Sequence, residues 1–195
     1  ELNKIFFEVI IANGFEKKAL KILKKKKNLR LIDASTFSLN EKFKFNSFNN
    51  SILLQEEDQI KFKRNEFKIV SKIKPNNQQM KNLIFAFNIC RYVKSNAIVL
   101  AHKESTVGIG SGQPSRVDSC QIAINKMKKF VNPLENIIAA SDAFFPFVDG
   151  VEQLVQAGVK AIIQPSGSIN DKKIIKYAND TGTILVFSKT RHFRH

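Results

Sequence analysis

Cysteine is scarce. The 195 residues contain two, Cys90 and Cys120, with no metal-ligand spacing around either. A lone pair of this kind builds neither a disulfide framework nor a zinc site, so both are expected to be reduced, buried thiols in a cytoplasmic protein. Histidine is limited to His102, His192 and His195, and none falls in an H-E-x-x-H or related metal pattern. No apolar run approaches the roughly 20 residues of a membrane-spanning helix, and no membrane partner is expected. The opening Glu1-Leu2-Asn3-Lys4 lacks an initiator Met and the basic-then-apolar layout of a signal peptide, so the sequence is expected to start inside a longer chain. Neither a short fixed-period repeat nor a low-complexity tract is present, which excludes solenoid architectures.

Acidic residues are also few, 17 against 32 Lys and Arg, for a formal net charge of +15. Such a balance concentrates anionic partners near the surface. The excess is mostly Lys, spread along the chain beside abundant Asn and Phe, a bias that AT-rich coding produces without selection for a partner. A nucleic-acid surface would interleave Arg with aromatics on one strand or helix face, and no nucleic-acid partner is expected. The run Lys24-Lys25-Lys26-Lys27 closes an amphipathic helix, where cations favour the C-terminal dipole.

Periodicity supplies the fold class. Residues 6–12 read as a buried strand, residues 15–27 as a surface helix and residues 29–32 as a short strand, a βαβ-like opening. Residues 36–72 change to short alternating pieces, among them residues 51–55 and 67–70, expected as small strands joined by loops. Pro75 marks a boundary, giving expected domains of residues 1–74 and 75–195. Beyond it, the pattern predicts a buried helix over 76–93, a hairpin of strands 96–101 and 106–109, and a helix running to about residue 130. Strands at 137–140, 160–163 and 183–187 then alternate with helices at 150–157 and 170–179. That alternation predicts an α/β layered domain, a mixed or parallel sheet flanked by helices.

Three loops at strand ends carry the candidate chemistry. Gly108-Ile109-Gly110-Ser111-Gly112-Gln113-Pro114-Ser115-Arg116 lies between a strand and a helix. Its glycines suit either close approach to a ligand or a tight turn, and the helix start offers free N–H groups to an anion. Pro114 sits where a first helical residue is favoured. Arg116 in a first turn opposes the helix dipole and requires an acidic or carbonyl partner. Ser141-Asp142-Ala143-Phe144-Phe145-Pro146-Phe147 reads either as an aromatic wall for a flat ligand or as a hydrophobic plug. Gln164-Pro165-Ser166-Gly167-Ser168 closes another strand, with Asn170 or Asp171 placed to cap the next helix. The chain ends Arg191-His192-Phe193-Arg194-His195, a basic tail that is either solvated or tucked into the sheet end. Together these loops suit a small, planar, anionic ligand, and no complete nucleophile–base–orienter set accompanies them.

These segments, with Lys94-Ser95-Asn96-Ala97 and Phe7-Glu8-Val9-Ile10-Ile11-Ala12, occur in the order and spacing of the AICAR formyltransferase / IMP cyclohydrolase family. AICAR is 5-aminoimidazole-4-carboxamide ribonucleotide, and the chain resembles the C-terminal part of that family's formyltransferase region. The resemblance implies a cytidine-deaminase-like architecture and formyl transfer from 10-formyltetrahydrofolate to the 5-amino group of AICAR. It also implies active sites at a homodimer interface. On the same basis Asn96 and Arg116 contact the carboxamide or the formyl oxygen, Ser115, Phe144 and Phe145 shape the substrate pocket, and Arg191 binds the ribonucleotide phosphate. His195 lines the site, and a structural potassium ion lies near the Asp142 segment and the C-terminus. The family's catalytic Lys-His pair has no counterpart, since His102-Lys103 is reversed, and neither has the cyclohydrolase domain. The residues present are therefore expected to supply half of a site and to be inactive alone.

Overall fold

Four short runs rich in Ile, Val and Ala become the buried strands of one sheet. In the computed structural model, which describes residues 2–37, 42–60, 62, 64–130 and 135–195, these runs belong to the second of two compact units, Glu1–Glu57 and Asp58–His195. The division falls at residue 57/58, whereas Pro75 lies inside the second unit, because the strand Phe67–Ile69 pairs with Ile184–Ser188.

The first unit holds two small sheets. Strand β1 (Val9–Ala12) pairs in parallel with β2 (Arg30–Asp33), and helix α1 (Lys17–Leu23) connects them. The helix is shorter at both ends than its periodicity predicts. Strands β3 (Phe43–Phe48) and β4 (Ser51–Glu56) form a hairpin turned at Asn49, which takes φ +48, a value Asn tolerates. Lys44 and Glu57 pair across its open end at 2.6 Å.

The second unit is a six-stranded mixed sheet in the order β5-β10-β9-β8-β6-β7. Its strands are β5 (Phe67–Ile69), β6 (Ile98–His102), β7 (Ser105–Gly110), β8 (Ile137–Ser141), β9 (Val159–Pro165) and β10 (Ile184–Ser188). β8, β9 and β10 run parallel, β6 is antiparallel to both β8 and β7, and β5 is antiparallel to β10. Helix α4 (Asp149–Gln156) joins β8 to β9, and α5 (Asp171–Asp180) joins β9 to β10, as parallel neighbours require.

Strand alternation sorts the core into two layers. On one face Val99, Ile138, Ile163 and Val186 meet Leu83, Ala86 and Phe87 of α2 (Asn77–Cys90). On the other, Leu100, Ala139, Ile162 and Leu185 meet Ala123 of α3 (Arg116–Phe130), Leu154 of α4 and Ile174 of α5. Each fully buried Leu or Ile contributes about 1.5–3 kcal/mol relative to exposure. Helix α2 starts on a capping box: Asn76 Oδ1 accepts from Gln79 N at 2.8 Å, and Gln79 Oε1 from Asn76 N at 2.9 Å. Among the described residues no helix is long and apolar enough to cross a membrane.

Candidate functional site

The glycines after the hairpin have a different use from ligand approach. β7 extends through Gly110, so Gly108 and Gly110 lie in the strand with α3 packed onto them. A Cβ on Gly110 would stand 1.8 Å from the Ser119 carbonyl oxygen, and one on Gly108 would stand 2.2 Å from that of Ala123. Gly112 alone supplies a turn, at φ +67. Pro114 also precedes the helix rather than opening it, since α3 begins at Arg116.

Close packing of α3 on β7 delivers Arg116 to the end of β8, where Asp142 waits. The guanidinium Nη1 pairs with Asp142 Oδ1 and donates to Ser141 Oγ at 3.0 Å, while Nη2 donates to Asn96 Oδ1 at 2.9 Å. The side chains are 9% and 1% exposed, so the ion pair is nearly dry. An arginine that would oppose its own helix dipole thus meets the acid its position calls for. Asn96 is held in turn, its Nδ2 donating to the Gln113 carbonyl at 2.9 Å and the Pro114 carbonyl at 3.1 Å. Ser119 Oγ donates to the Asn96 carbonyl at 2.8 Å, so a single network locks the strand ends to the helix start.

This network floors a cavity of about 480 Å³. Asn96, Ser115, Arg116, Phe144, Phe145 and Arg191 line it, brought together from four separate segments of sequence. Phe145 is both plug and wall: its ring is 1% exposed and rests where a Cβ on Gly150 would meet it at 2.7 Å. Phe147, 62% exposed, forms the outer rim. Asp142 lies beneath the cavity, bonded to Arg116. His195 is not among the lining residues; its ring lies tilted, 4.9 Å from that of Phe193, which is.

Asp149, outside every segment singled out from sequence, lines the cavity, as does Phe193, which the tail motif contained without an individual role. Asp149 was legible as an acid two residues beyond the Phe-Pro-Phe segment, and its Oδ1 accepts from Gly150 N at 2.7 Å. The tail is anchored through its main chain and the buried His192, with Arg191, Phe193 and His195 exposed: His192 N donates to the Asp142 carbonyl at 2.9 Å, and Ser95 N to that of Arg194 at 3.0 Å. Gln164, near the end of β9, contributes from behind, its Oε1 accepting from Phe145 N at 3.3 Å. Asp171 accepts from Gly167 N at 2.8 Å and Ser168 N at 3.3 Å, so it ties the loop where a side-chain cap of α5 by Asn170 is missing.

Electrostatics here are set by burial. Burial pushes the Cys90 thiol well up and that of Cys120 up to about 12, so neither is a nucleophile at neutral pH. Burial also lowers His192 below its ordinary value, outweighing the opposing Asp58 carboxylate. For potassium the fit at the Asp142 side chain is poor. Oδ1 already faces the Arg116 cation, which repels a second one, and Oδ2 accepts from the Ser95 hydroxyl. Among the described residues no cluster of three or more His, Cys, Asp or Glu could hold a metal ion.

Residues 1–126 match the model of the AICARFT/IMPCHase bienzyme family, well over half of the sequence. The chain belongs to that family. Similarity to its curated members runs the full length of the chain, covering the Phe144 and Arg191 segments beyond residue 126. The bifunctional purine biosynthesis protein PurH of Persephonella marina is 44% identical over 196 residues, covering 100% of this chain and 38% of that protein. PurH of Aquifex aeolicus is 40% identical over 195 residues with the same shares. The chain therefore spans 38% of the length of these relatives. Among solved structures, a dCMP deaminase from the cyanophage S-TIM5 superposes with a TM-score of 0.40 at 17% identity, over 58% of this chain and 98% of that one.

Proposed function

We propose that the chain is the C-terminal portion of a formyltransferase acting in purine biosynthesis, and that its cavity binds AICAR beside 10-formyltetrahydrofolate. In this reading the second unit is a cytidine-deaminase-like subdomain of the formyltransferase region. The observation that carries it is the convergence of Asn96, Arg116, Phe144, Phe145 and Arg191 on one cavity of about 480 Å³. That volume is within the range of small-molecule sites, and the lining combines aromatic surface with a few placed polar groups.

Each group has a role its chemistry supports. Arg191, exposed at the cavity wall, takes the ribonucleotide phosphate with a two-pronged guanidinium. Phe144 and Phe147 flank the planar base and pterin rings. Arg116 and Asn96 face the formyl carbonyl, whose oxygen gains negative charge as the amine attacks. A guanidinium already oriented by Asp142 and Ser141 stabilises that charge without reorganising. Asp149 offers an acceptor to an exocyclic amino group. Removing the proton from the attacking amine falls to the Lys-His pair that these residues lack, so the chain alone binds without turning over. The complete site forms in a homodimer, in which His195 approaches the ligand.

The test is an AICAR formylation assay that follows tetrahydrofolate release, run on this chain and on a chain extended upstream through the missing subdomain. Activity confined to the extended chain is expected. Turnover by this chain alone would overturn the half-site reading; absence of both turnover and AICAR binding in either chain would overturn the function.

A further inference from the structure

The last residues reach the cavity from an anchored point. Arg191 and Phe193 line the wall, and His192 between them is turned inward and 1% exposed. The His192 ring packs 4.5 Å from that of Phe87 and 5.3 Å from that of Phe62. Its Nδ1 is bonded to Asp58 Oδ2, while Nε2 is buried without a partner among the described residues. Asp58 is thus the polar side chain that fixes this ring. It opens the second unit, 134 residues away in sequence. It belongs to no element lining the cavity, and its other carboxylate oxygen accepts from Ile60 N at 3.3 Å, which keeps it in place. Arg191 itself is exposed, with its guanidinium 4.7 Å over the Phe193 ring. Its position therefore follows from how its neighbour is held.

We propose that Asp58 is a positioning residue for the cavity: through His192 it holds Arg191 and Phe193 in the wall and so sets affinity for the anionic group of the ligand. The proposal rests on the reading of Arg191 as a phosphate contact. The main-chain bonds of His192 N to Asp142 and of Ser95 N to Arg194 do not involve the Asp58 side chain, so loss of the clasp is expected to loosen the tail without releasing it. A displaced charge-assisted contact to phosphate weakens binding about tenfold.

The experiment measures AICAR affinity by calorimetry, and amide hydrogen exchange without ligand, in Asp58→Ala, His192→Phe, the double variant and Asp58→Asn. Each single variant is expected to raise Kd about tenfold, and the double no further, because both break one link. Asp58→Asn keeps an acceptor for the ring N–H and is expected to restore most of the affinity. Amides of residues 192–194 should exchange faster in Asp58→Ala while those of β8 to β10 keep their protection. Unchanged tail exchange in Asp58→Ala overturns the proposal, as does equal loss of protection throughout the sheet or full additivity in the double variant. If the unaltered chain does not bind AICAR, the role of Arg191 fails, and tail exchange alone decides whether the clasp exists.

Discussion

Asp142→Asn keeps the outline of the side chain and deletes its charge. In the folded protein Arg116 would then retain two neutral acceptors, Ser141 Oγ at 3.0 Å and Asn96 Oδ1 at 2.9 Å, with 9% of its side chain exposed. Removing one partner of a buried ion pair typically costs about 3–5 kcal/mol, because the other charge stays desolvated. The remaining acceptors, and the amide oxygen of the new Asn, place this case near the lower end, at about 3 kcal/mol. At about 2–4 °C per kcal/mol for a chain of this size, Tm should fall by about 6–12 °C. Thermal and urea unfolding followed by circular dichroism would measure it. Arg116→Met should cost a similar amount by stranding the Asp142 carboxylate, and the double variant should cost less than the two added together, by about 1 kcal/mol or more. A loss under about 1 kcal/mol for Asp142→Asn, or strict additivity, would show that the pair is neither dry nor coupled, and the account of Arg116 would fail.

Gly110→Ala places a methyl group 1.8 Å from the Ser119 carbonyl and should cost about 3 kcal/mol or more by overpacking against backbone, read in the same unfolding assay. Gly112→Ala, strained only by its φ of +67, should cost about 1 kcal/mol. With Cys90 fully buried and the Cys120 thiol raised to about 12, neither should react with a chromogenic disulfide reagent at neutral pH until denaturant is added; immediate labelling would contradict their burial. His192 has a folded pKa below the ordinary 6.5, so above that value neither state binds its proton. As pH falls below it, the unfolded chain takes up the proton first, and the stability linked to His192 declines until the folded pKa is passed. Unfolding free energies at about pH 7.5 and 5.5 should show this decline in the unaltered chain and a smaller one in His192→Phe; an equal or larger decline in the variant would reverse the assignment.

Local pattern was enough for the second unit's elements. Runs such as Ile98–His102 and Ile184–Ser188 are apolar on consecutive positions because both sheet faces are covered, which is what a central strand requires. Strand β3 is not legible from sequence because its phenylalanines alternate with polar residues only as far as Asn46, inside a Lys- and Asn-rich stretch, and Phe45 and Phe48 remain exposed. The extent of the second unit was equally hidden, since β5 owes its place to pairing with β10 at the far end of the sequence. The sequence by itself determined the α/β class, and it required a partner for Arg116, because a cation in a helix's first turn opposes a dipole that depends only on helix direction. Which acid meets it, and why Gly108 and Gly110 must be glycine, were decided by the tertiary structure. Both depend on how closely α3 approaches β7 and where β8 ends beside it. The tail shows the same division: its basic composition is local, whereas its anchoring depends on Asp58 and Phe87, which only the folded sheet brings to His192.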